Sequence, residues 1–374
     1  MNDILVIGAG YTGMMAAHGI AHRNRSARVT LLNPTDRFNE RLRQHQAAAG
    51  QELGDHRIPM IVEPAGIRFV KGRAAAIDTG ARRVALDDGR ELPYDLLVYA
   101  IGSATEKRQG AFTIDDPRLA ERLREHPDGV LTVCGAGLTG IEAATEIAEA
   151  YPNMRVRLLS RGEPGTMMGP KARAYLMRAL DRLGIEVRTG VRVTEVLPGA
   201  VVLEDGERLP TDTTLWTTGV RVAPLAAAAG IATDDTGRVL VDATLRSVSH
   251  PEIYAIGDAA AIRQAYGVIH GTCQSGIPSA AHTAESITRE LHGKAPKAFR
   301  FGYLHQPVSL GRKDAVVQFT HHDDTPSRWY LKGKAAIAYK EAVSGSPLKF
   351  FRSTRAIPAR MTGRTGGRRN PVAA

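Results

Sequence analysis

Residues 4–33, ILVIGAGYTGMMAAHGIAHRNRSARVTLLN, decide the fold that we expect for this chain. A short apolar run leads into three glycines with the spacing G-x-G-x-x-G; an alanine-rich segment follows, and a second apolar run ends at Asn33. The pattern predicts a strand, a tight turn, a helix and a second strand. In such a unit Gly8 permits the turn, Gly10 lets the backbone approach a pyrophosphate, and Gly13 lets the helix pack closely on the strand. The helix N-terminus then presents free N–H groups to the phosphates.

Residues 131–160, LTVCGAGLTGIEAATEIAEAYPNMRVRLLS, repeat this pattern, with the glycines at Gly135, Gly137 and Gly140. In both copies 25 residues separate the first glycine from the end of the second strand. Two complete strand–turn–helix–strand units with equal spacing predict two dinucleotide-binding sites in one chain. One site suits a flavin that stays bound and the other a nicotinamide nucleotide that diffuses in, so the pattern favours an enzyme that passes a hydride between them.

The composition limits the classes of protein that remain. The chain has 374 residues, of which 43% are hydrophobic and 24% charged, which suits two or three globular domains. It has no apolar run long enough for a membrane-spanning helix, and its first residues run straight into a strand, so we expect neither such a helix nor a signal peptide. Only two cysteines and no CxxC pair argue against a zinc knuckle or a dithiol relay, and fit a cytoplasmic protein.

The net charge of +10 is concentrated at the C-terminal end. Residues 349–374 hold seven Lys and Arg residues and no acid, so the rest of the chain carries about +3. This distribution predicts a basic, disordered tail and argues against a nucleic-acid-binding protein. Two roles are open for the tail: it keeps the protein in solution, or it makes a peripheral membrane contact with Phe350, Phe351 and its arginines.

Three later segments combine an apolar strand with a glycine turn: residues 90–105, 212–226 and 250–262. The last of them ends in Gly257-Asp258, where a carboxylate can meet a ribityl hydroxyl beside a helix N-terminus. A helix N-cap is the simpler role that the sequence allows for Asp258.

With these motifs the chain resembles the FAD-dependent pyridine nucleotide:disulfide oxidoreductase superfamily. Within it, the chain is similar to the branch of type II NADH dehydrogenases and apoptosis-inducing-factor-like oxidoreductases, which includes ferroptosis-suppressor-like quinone reductases. The resemblance covers about residues 3–345, and its most specific pieces are GAGLTGIEAATEIAE, LWTTGVRVAPLA, IYAIGDAA, CQSGIPSAAHTAESI and SLGRKDAVVQF. It implies an α/β protein with two Rossmann-like dinucleotide-binding domains and a small C-terminal region. The implied boundaries are 1–105 and 240–300 for the split FAD domain, 106–239 for the inserted NAD(P)H domain, 301–348 for a C-terminal interface region, and 349–374 for the tail.

The resemblance implies that FAD occupies the first site. The residues that it assigns there are Gly8, Ala9, Gly10, Thr12, Gly13, Asn33, Arg43, Ala74, Ala100, Gly102 and Asp258. Asn33 departs from the family pattern, which usually has an acid for the adenosine ribose. A neutral hydrogen bond contributes roughly 0.5–1.5 kcal/mol and a charged one roughly 1.5–3, so we expect weaker FAD binding. Arg43 either reaches the FAD phosphates or is a solvated helix arginine.

NAD(P)H would occupy the second site. The residues assigned there are Gly135, Gly137, Thr139, Gly140, Ser160, Arg161 and Gly219. An acid after the second strand normally binds both ribose hydroxyls of NADH and repels a 2′-phosphate. Ser160-Arg161 replaces that acid with a hydroxyl and a guanidinium, which favours NADPH over NADH. In the alternative, Arg161 points to solvent, NADH binds, and Glu163 serves as a displaced acid.

Two residues are expected at the reacting rings. The resemblance places Glu142 near nicotinamide and flavin, where it would orient the nicotinamide; otherwise it only stabilises the helix N-terminus. The resemblance also places Gln274 at the start of a helix that faces the flavin and the quinone entrance. Cys273, beside it, is either a charge-transfer thiolate or, as we favour, a small buried residue.

We therefore expect an FAD-dependent oxidoreductase that passes hydride from NADPH or NADH to FAD and then directly to a quinone or quinone-like acceptor. A flavoprotein reductase or oxidase for a small secondary metabolite is one alternative, and an apoptosis-inducing-factor-like redox signalling protein is another. We expect no metal site, since residues 321–324 (HHDD) are typical of a solvated turn. Pro347 and Pro358 would interrupt a C-terminal membrane helix. A cytoplasmic protein is expected, either free or at the inner face of the membrane, and a homodimer is left open.

Overall fold

The structure is a computed structural model that describes residues 2–352 of the chain. Its strands are, in chain order, β1 (Asp3–Ile7), β2 (Arg28–Asn33), β3 (Arg68–Lys71), β4 (Ala74–Asp78), β5 (Arg83–Leu86), β6 (Glu91–Pro93), β7 (Leu96–Tyr99), β8 (Ala104–Thr105), β9 (Val130–Cys134), β10 (Arg155–Leu159), β11 (Glu186–Arg188), β12 (Val193–Leu197), β13 (Ala200–Leu203), β14 (Arg208–Pro210), β15 (Thr213–Trp216), β16 (Val220–Arg221), β17 (Val239–Leu240), β18 (Ile253–Ala255), β19 (Ala260–Ala261), β20 (Arg263–Gln264), β21 (Gly267–Val268), β22 (His305–Ser309), β23 (Ala315–Thr320) and β24 (Pro326–Lys332). Its α-helices are α1 (Tyr11–Arg23), α2 (Gln44–Ala48), α3 (Ile58–Val62), α4 (Arg118–Glu125), α5 (Leu138–Ala150), α6 (Pro170–Arg182), α7 (Leu225–Ala228), α8 (Cys273–Leu291) and α9 (Gly333–Arg352). Single 3-10 turns cover Arg41–Arg43, Glu63–Ala65 and Gly257–Ala259.

The first glycine motif lies in a five-stranded parallel sheet with the order β18-β7-β1-β2-β3. The inner strands β1 and β7 are apolar and buried almost without interruption, as expected of a parallel sheet that is covered on both faces. Strand β18 follows the second glycine motif in sequence but pairs with β7. The first sheet is therefore completed only after the second unit has been inserted into the chain.

The second glycine motif lies in a four-stranded parallel sheet with the order β11-β10-β9-β15. Each unit also carries a three-stranded antiparallel sheet, β4-β5-β6 in the first and β12-β13-β14 in the second. The predicted α/β fold with two Rossmann-like units is thus confirmed. Strands β8 and β16 pair where the chain passes between the units, and the domain boundaries at 105, 240 and 300 stay predictions.

The C-terminal region consists of the antiparallel sheet β22-β23-β24 and helix α9. Helix α9 continues through Pro347 to Arg352, four residues into the predicted tail, and the rest of that tail lies outside the described residues. The side chain of Phe351 is only 2% exposed and packs against Tyr11, His18 and Phe38. The expectation that Phe351 serves a membrane contact is therefore wrong, because the ring fastens α9 to the first unit.

No helix within residues 2–352 combines the length and the apolar character that crossing a bilayer requires.

We predict that Phe351→Ala lowers the stability of the protein by about 3–5 kcal/mol, because it removes a buried ring and leaves a cavity beside Phe38. Half-buried Phe350 provides the control, and Phe350→Ala should cost clearly less. The measurement is the thermal unfolding temperature, together with limited proteolysis of α9. Equal unfolding temperatures for the two variants would show that α9 is not held by Phe351.

Candidate active site around two glycine turns

The first glycine turn makes two contacts that only glycine permits. Gly8 has a φ of +99°, and a Cβ atom there would lie 2.4 Å from the carbonyl oxygen of Ala100. A Cβ atom at Gly13 would lie 1.8 Å from the carbonyl oxygen of Gly8, far inside van der Waals contact. Helix α1 therefore approaches β1 backbone to backbone, as the motif requires.

The second glycine turn repeats this geometry. Gly135 has a φ of +117°, and a Cβ atom at Gly140 would lie 1.8 Å from the carbonyl oxygen of Gly135. The N–H of Gly135 donates to the carbonyl of Leu159 at 2.8 Å, as Gly8 does to Leu32 at the same distance. The two units are thus equivalent in the backbone as well as in sequence.

The middle glycine of each turn borders open space among the described residues. A Cβ atom at Gly10 or Gly137 would have no described heavy atom within 4 Å, and neither α1 nor α5 has a side-chain hydrogen bond at its N-cap. The first N–H groups of both helices therefore face open space, at the positive end of the helix dipole. Both turns fit a pyrophosphate, which would occupy the room that a side chain would fill.

Asn33, at the end of β2, holds the first turn in place. Its side-chain oxygen accepts a hydrogen bond from the N–H of Ala9 at 2.9 Å, and its side-chain amide donates to the carbonyl of Thr35 at 2.8 Å. Its backbone carbonyl accepts from the N–H of Gly72 at 3.0 Å, which brings the start of β4, with Ala74, beside the turn. The residue expected at the adenosine ribose therefore also fixes the backbone of the turn.

The Gly257-Asp258 turn and the start of α8 meet the first glycine turn at Thr12. Cβ atoms at Gly257 and Gly276 would lie 2.9 and 2.6 Å from the Thr12 hydroxyl oxygen. The Asp258 carboxylate accepts a hydrogen bond from the hydroxyl of Ser103 at 2.7 Å. Motifs that are distant in sequence therefore converge near one end of the first sheet, where open α/β sheets bind ligands.

Cys273 opens helix α8 next to this point. Burial, followed by the charge of Asp258, raises the pKa of the Cys273 thiol to about 12. Burial of this thiol favours the interpretation of Cys273 as a small buried residue.

Arg43 does not support the expected role at the FAD phosphates. Its guanidinium lies 2.7 Å from a carboxylate oxygen of Glu341 on α9 and 3.5 Å from one of Glu40. The neighbouring Arg41 donates to the carbonyl of Ser103 instead. Sequence reasoning missed this because Glu341 is nearly 300 positions away from Arg43 along the chain.

Two other predicted residues, Gly102 and Gly219, lie near the passage between the units, and Thr139 lies at the start of α5. Gly102 and Gly219 have φ values of +70° and +74°, and the carbonyl of Gly219 accepts from the N–H of Glu106 at 2.7 Å. Thr139 is exposed in the first turn of α5. The ligand contacts of all three stay predictions.

Glu142 lies where three parts of the chain meet. Its carboxylate accepts hydrogen bonds from the backbone N–H of Ser309 at 2.9 Å and from the ammonium of Lys340 on α9, and its other oxygen lies 3.7 Å from His45 on α2. The first unit, the second unit and the C-terminal region thus contribute one ionisable side chain each. Glu142 was predicted from the motif, whereas nothing in the local sequence around Lys340 or His45 marks them as its partners.

Burial perturbs the basic members of this cluster. It lowers the pKa of Lys340 to about 7, and it lowers the pKa of His45 well below its usual value, with Lys340 adding to the effect. One helical turn behind Glu142, burial raises the pKa of Glu146 to about 7, although Arg312 opposes the shift. Groups that exchange protons near neutral pH are thus gathered at the junction of the three parts.

The side chain of Gln274 joins two parts of the chain by hydrogen bonds. Its side-chain oxygen accepts from the N–H groups of Leu304 and His305, and its amide donates to the carbonyl of His305 at 3.0 Å. It joins the start of α8 to β22, which leaves one amide N–H for a substrate. Its predicted role at the acceptor therefore depends on that single donor.

The loop after β10 carries Ser160 and Arg161. Arg161 is exposed, and within residues 2–352 its guanidinium has no ion pair or hydrogen bond. Glu163, the acid that could have replaced it at a ribose, is bonded to Arg173 and to the hydroxyl of Thr189, at 3.0 Å each.

The turn at residues 321–324 is only partly solvated. His321 and His322 are exposed, and Asp323 is half-buried and accepts hydrogen bonds from the backbone N–H and the hydroxyl of Thr325. The side chain of Asp324, by contrast, is 13% exposed and lies 3.2 Å from the imidazole of His270, on backbone with a φ of +68°. Within the described part of the chain, no three His, Cys, Asp or Glu side chains cluster as metal ligands would.

Comparison with known proteins agrees with this geometry. The profile of the pyridine nucleotide-disulphide oxidoreductase family matches residues 2–287. The chain belongs to this family.

Similar proteins carry informative names. An NADH dehydrogenase-like protein of Mycobacterium tuberculosis is 32% identical over 359 residues, which cover 84% of this chain and 87% of that protein. A type II NADH:quinone oxidoreductase of Staphylococcus epidermidis is 27% identical over 84% of this chain and 88% of its own length. Among solved structures, the sulfide:quinone oxidoreductase of Aquifex aeolicus has a TM-score of 0.84 at 18% identity and covers 96% of this chain and 94% of that one.

Substitutions at Gly13 and Gly10 should affect folding and FAD binding separately. Gly13→Ala should destabilise the protein by at least about 1–3 kcal/mol, because its Cβ atom would overlap the carbonyl of Gly8. Gly10→Ala meets no protein atom, so it should fold normally but bind FAD about tenfold more weakly, the loss expected for one hydrogen bond. Unfolding temperature of the apoprotein and flavin titration measure the two effects. Normal flavin binding by Gly10→Ala would contradict the assignment of the pyrophosphate to this turn.

Proposed function

We propose that this chain is an FAD-dependent NAD(P)H dehydrogenase whose electron acceptor is a quinone or a quinone-like aromatic molecule. The observation that carries the proposal is the pair of equivalent glycine turns, each with room for a pyrophosphate. With it goes the ion pair between half-buried Glu142 and buried Lys340, at the junction of the parts that bear the turns. The names of the relatives support it, since one is a type II NADH:quinone oxidoreductase and one structural neighbour a sulfide:quinone oxidoreductase.

When bound, FAD would supply the chemistry by accepting a hydride from the nicotinamide and passing two electrons to the acceptor. The chain offers no dithiol to carry these electrons further, because its only two cysteines, Cys134 and Cys273, are far apart in sequence and both thiols have pKa values raised by burial. The acceptor must therefore reach the flavin itself.

The chain's own contribution to the second half-reaction is a proton. Reduction of a quinone to a quinol needs two electrons and two protons. A hydride delivers both electrons but only one of the protons. Lys340 can supply the other, because burial brings its pKa to about 7 and Glu142 holds the ammonium in position. Since the protonated lysine is the active form, the rate of acceptor reduction should fall as the pH rises through about 7.

Lys340→Met tests this role. We expect flavin reduction by NAD(P)H to be retained, while quinone reduction slows by about 10²-fold or more, the usual contribution of a general acid, and loses its decline above pH 7. Stopped-flow absorbance of the flavin separates the two half-reactions.

Lys334→Met is the matched control, because Lys334 is exposed on the same helix. Lys340→Met leaves the Glu142 carboxylate without its ion-pair partner, which can destabilise the fold. The double variant Glu142→Gln/Lys340→Met removes both charges, so the same measurement can be made on a folded protein. An unchanged pH profile of quinone reduction in a folded variant would refute the role of Lys340.

We also propose that the protein makes a peripheral membrane contact through its C-terminal tail. Its support is the basic sequence of residues 349–374, of which 353–374 lie outside the described residues. Co-sedimentation with vesicles of anionic lipid should occur and should be lost after truncation at residue 352. Equal sedimentation of the truncated and the full-length protein would show that residues 353–374 do not mediate membrane binding.

A further inference from the structure

The loop after β10 lies where a dinucleotide-binding unit meets the adenosine ribose. Strand β10 ends at Leu159, whose carbonyl accepts the N–H of Gly135, so the loop begins next to the second glycine turn. The backbone of the loop is fixed: the N–H of Ser160 donates to the carbonyl of Arg188 at 3.0 Å, and the N–H of Val191 donates to the carbonyl of Ser160 at 3.1 Å. Whatever this loop presents is therefore held in one place relative to a nucleotide on the turn.

The loop presents unused hydrogen-bond donors. Within residues 2–352, no acceptor is bonded to the hydroxyl of Ser160, to the guanidinium of Arg161 or to the backbone N–H of Gly162. The arginines around them are already paired, Arg188 with Glu207 and Arg173 with Glu163. Arg161 thus carries the positive charge of this loop that no described carboxylate offsets.

The carboxylate that this loop carries, Glu163, already has protein partners. Glu163 is the nearest acid in sequence, and its two oxygens accept from Arg173 and from Thr189, each at 3.0 Å. Its charge is therefore offset by Arg173, and its oxygens are directed toward those two residues. The alternative of a displaced acid, which the sequence had left open, loses its support.

We propose that Ser160, Arg161 and Gly162 bind the 2′-phosphate of NADPH, and that the protein prefers NADPH to NADH for this reason. A guanidinium forms paired, charge-assisted hydrogen bonds with phosphate oxygens, and a hydroxyl and a backbone N–H complete the set. The inference rests on the proposed function, whose second site holds NAD(P)H. It goes beyond the names of the two relatives given above, which specify NADH.

The first experiment needs no turnover. The FAD-loaded protein is titrated in a calorimeter with 2′,5′-ADP and with 5′-ADP, two fragments that differ in the 2′-phosphate. We expect 2′,5′-ADP to bind about tenfold more tightly or better, the gain expected for a charged hydrogen bond, and this gain should shrink at high salt. Anaerobic bleaching of the flavin by NADPH and by NADH then gives the same comparison as rate constants.

Two variants with the same change in net charge locate the effect. Arg161→Glu should abolish the preference for 2′,5′-ADP and for NADPH and should improve reduction by NADH. Arg155→Glu is the matched control, since Arg155 is exposed at the opposite end of the same strand and its substitution should leave the preference unchanged.

Each failure has a distinct signature. Equal binding of the two fragments by the wild type, or a preference that survives Arg161→Glu, would overturn the 2′-phosphate site. Tight and Arg161-dependent binding of 2′,5′-ADP without bleaching of the flavin by either nucleotide would support the site and overturn the proposed reductase function instead.

Discussion

Two backbone contacts govern the rest of this structure: the third glycine of each motif lies against the carbonyl of the first. A side chain at Gly13 or Gly140 would stand 1.8 Å from that oxygen, so each helix can approach its strand only through glycine. This close approach sets the start of the helix at the edge of the sheet and leaves its first N–H groups without hydrogen-bond partners within residues 2–352. The steric requirement that sets the fold therefore also creates the space that we propose for the phosphates.

The second constraint is the cost of burying charge. His45, Glu142 and Lys340 come from the first unit, the second unit and the C-terminal helix, and all three are largely shielded from water. Buried ion pairs add little to stability compared with apolar packing, and losing one partner leaves the other uncompensated. A seam that could have been closed by apolar side chains instead holds an ion pair, in which burial lowers the pKa of Lys340 to about 7. The proposed role of Lys340 as the proton donor in acceptor reduction explains why an ion pair stands here.

The parts of the fold that follow from short-range sterics were predictable from the sequence. Both glycine units, their spacing and the Gly257-Asp258 turn depend on residues a few positions apart, and the structure has them as expected. What the sequence did not reveal depends on partners far along the chain. Lys340 lies 198 positions from Glu142, and helix α9 continues through Pro347 to Phe351, whose buried side chain packs against the first unit. Local patterns carry no signal of such pairings.

The ends of the two equivalent second strands show how one motif acquires two uses. In the first unit Asn33 is turned inward, and its side chain holds the N–H of Ala9 and so the turn itself. In the second unit the corresponding Ser160 makes no such bond within the described residues, and Arg161 beside it is exposed. A cofactor that stays bound benefits from a turn that the protein keeps fixed, whereas a nucleotide that exchanges must be recognised at each encounter by groups that are free to meet it. The difference between Asn33 and Ser160-Arg161 therefore supports the proposal that the first unit holds a resident dinucleotide and the second a diffusing one.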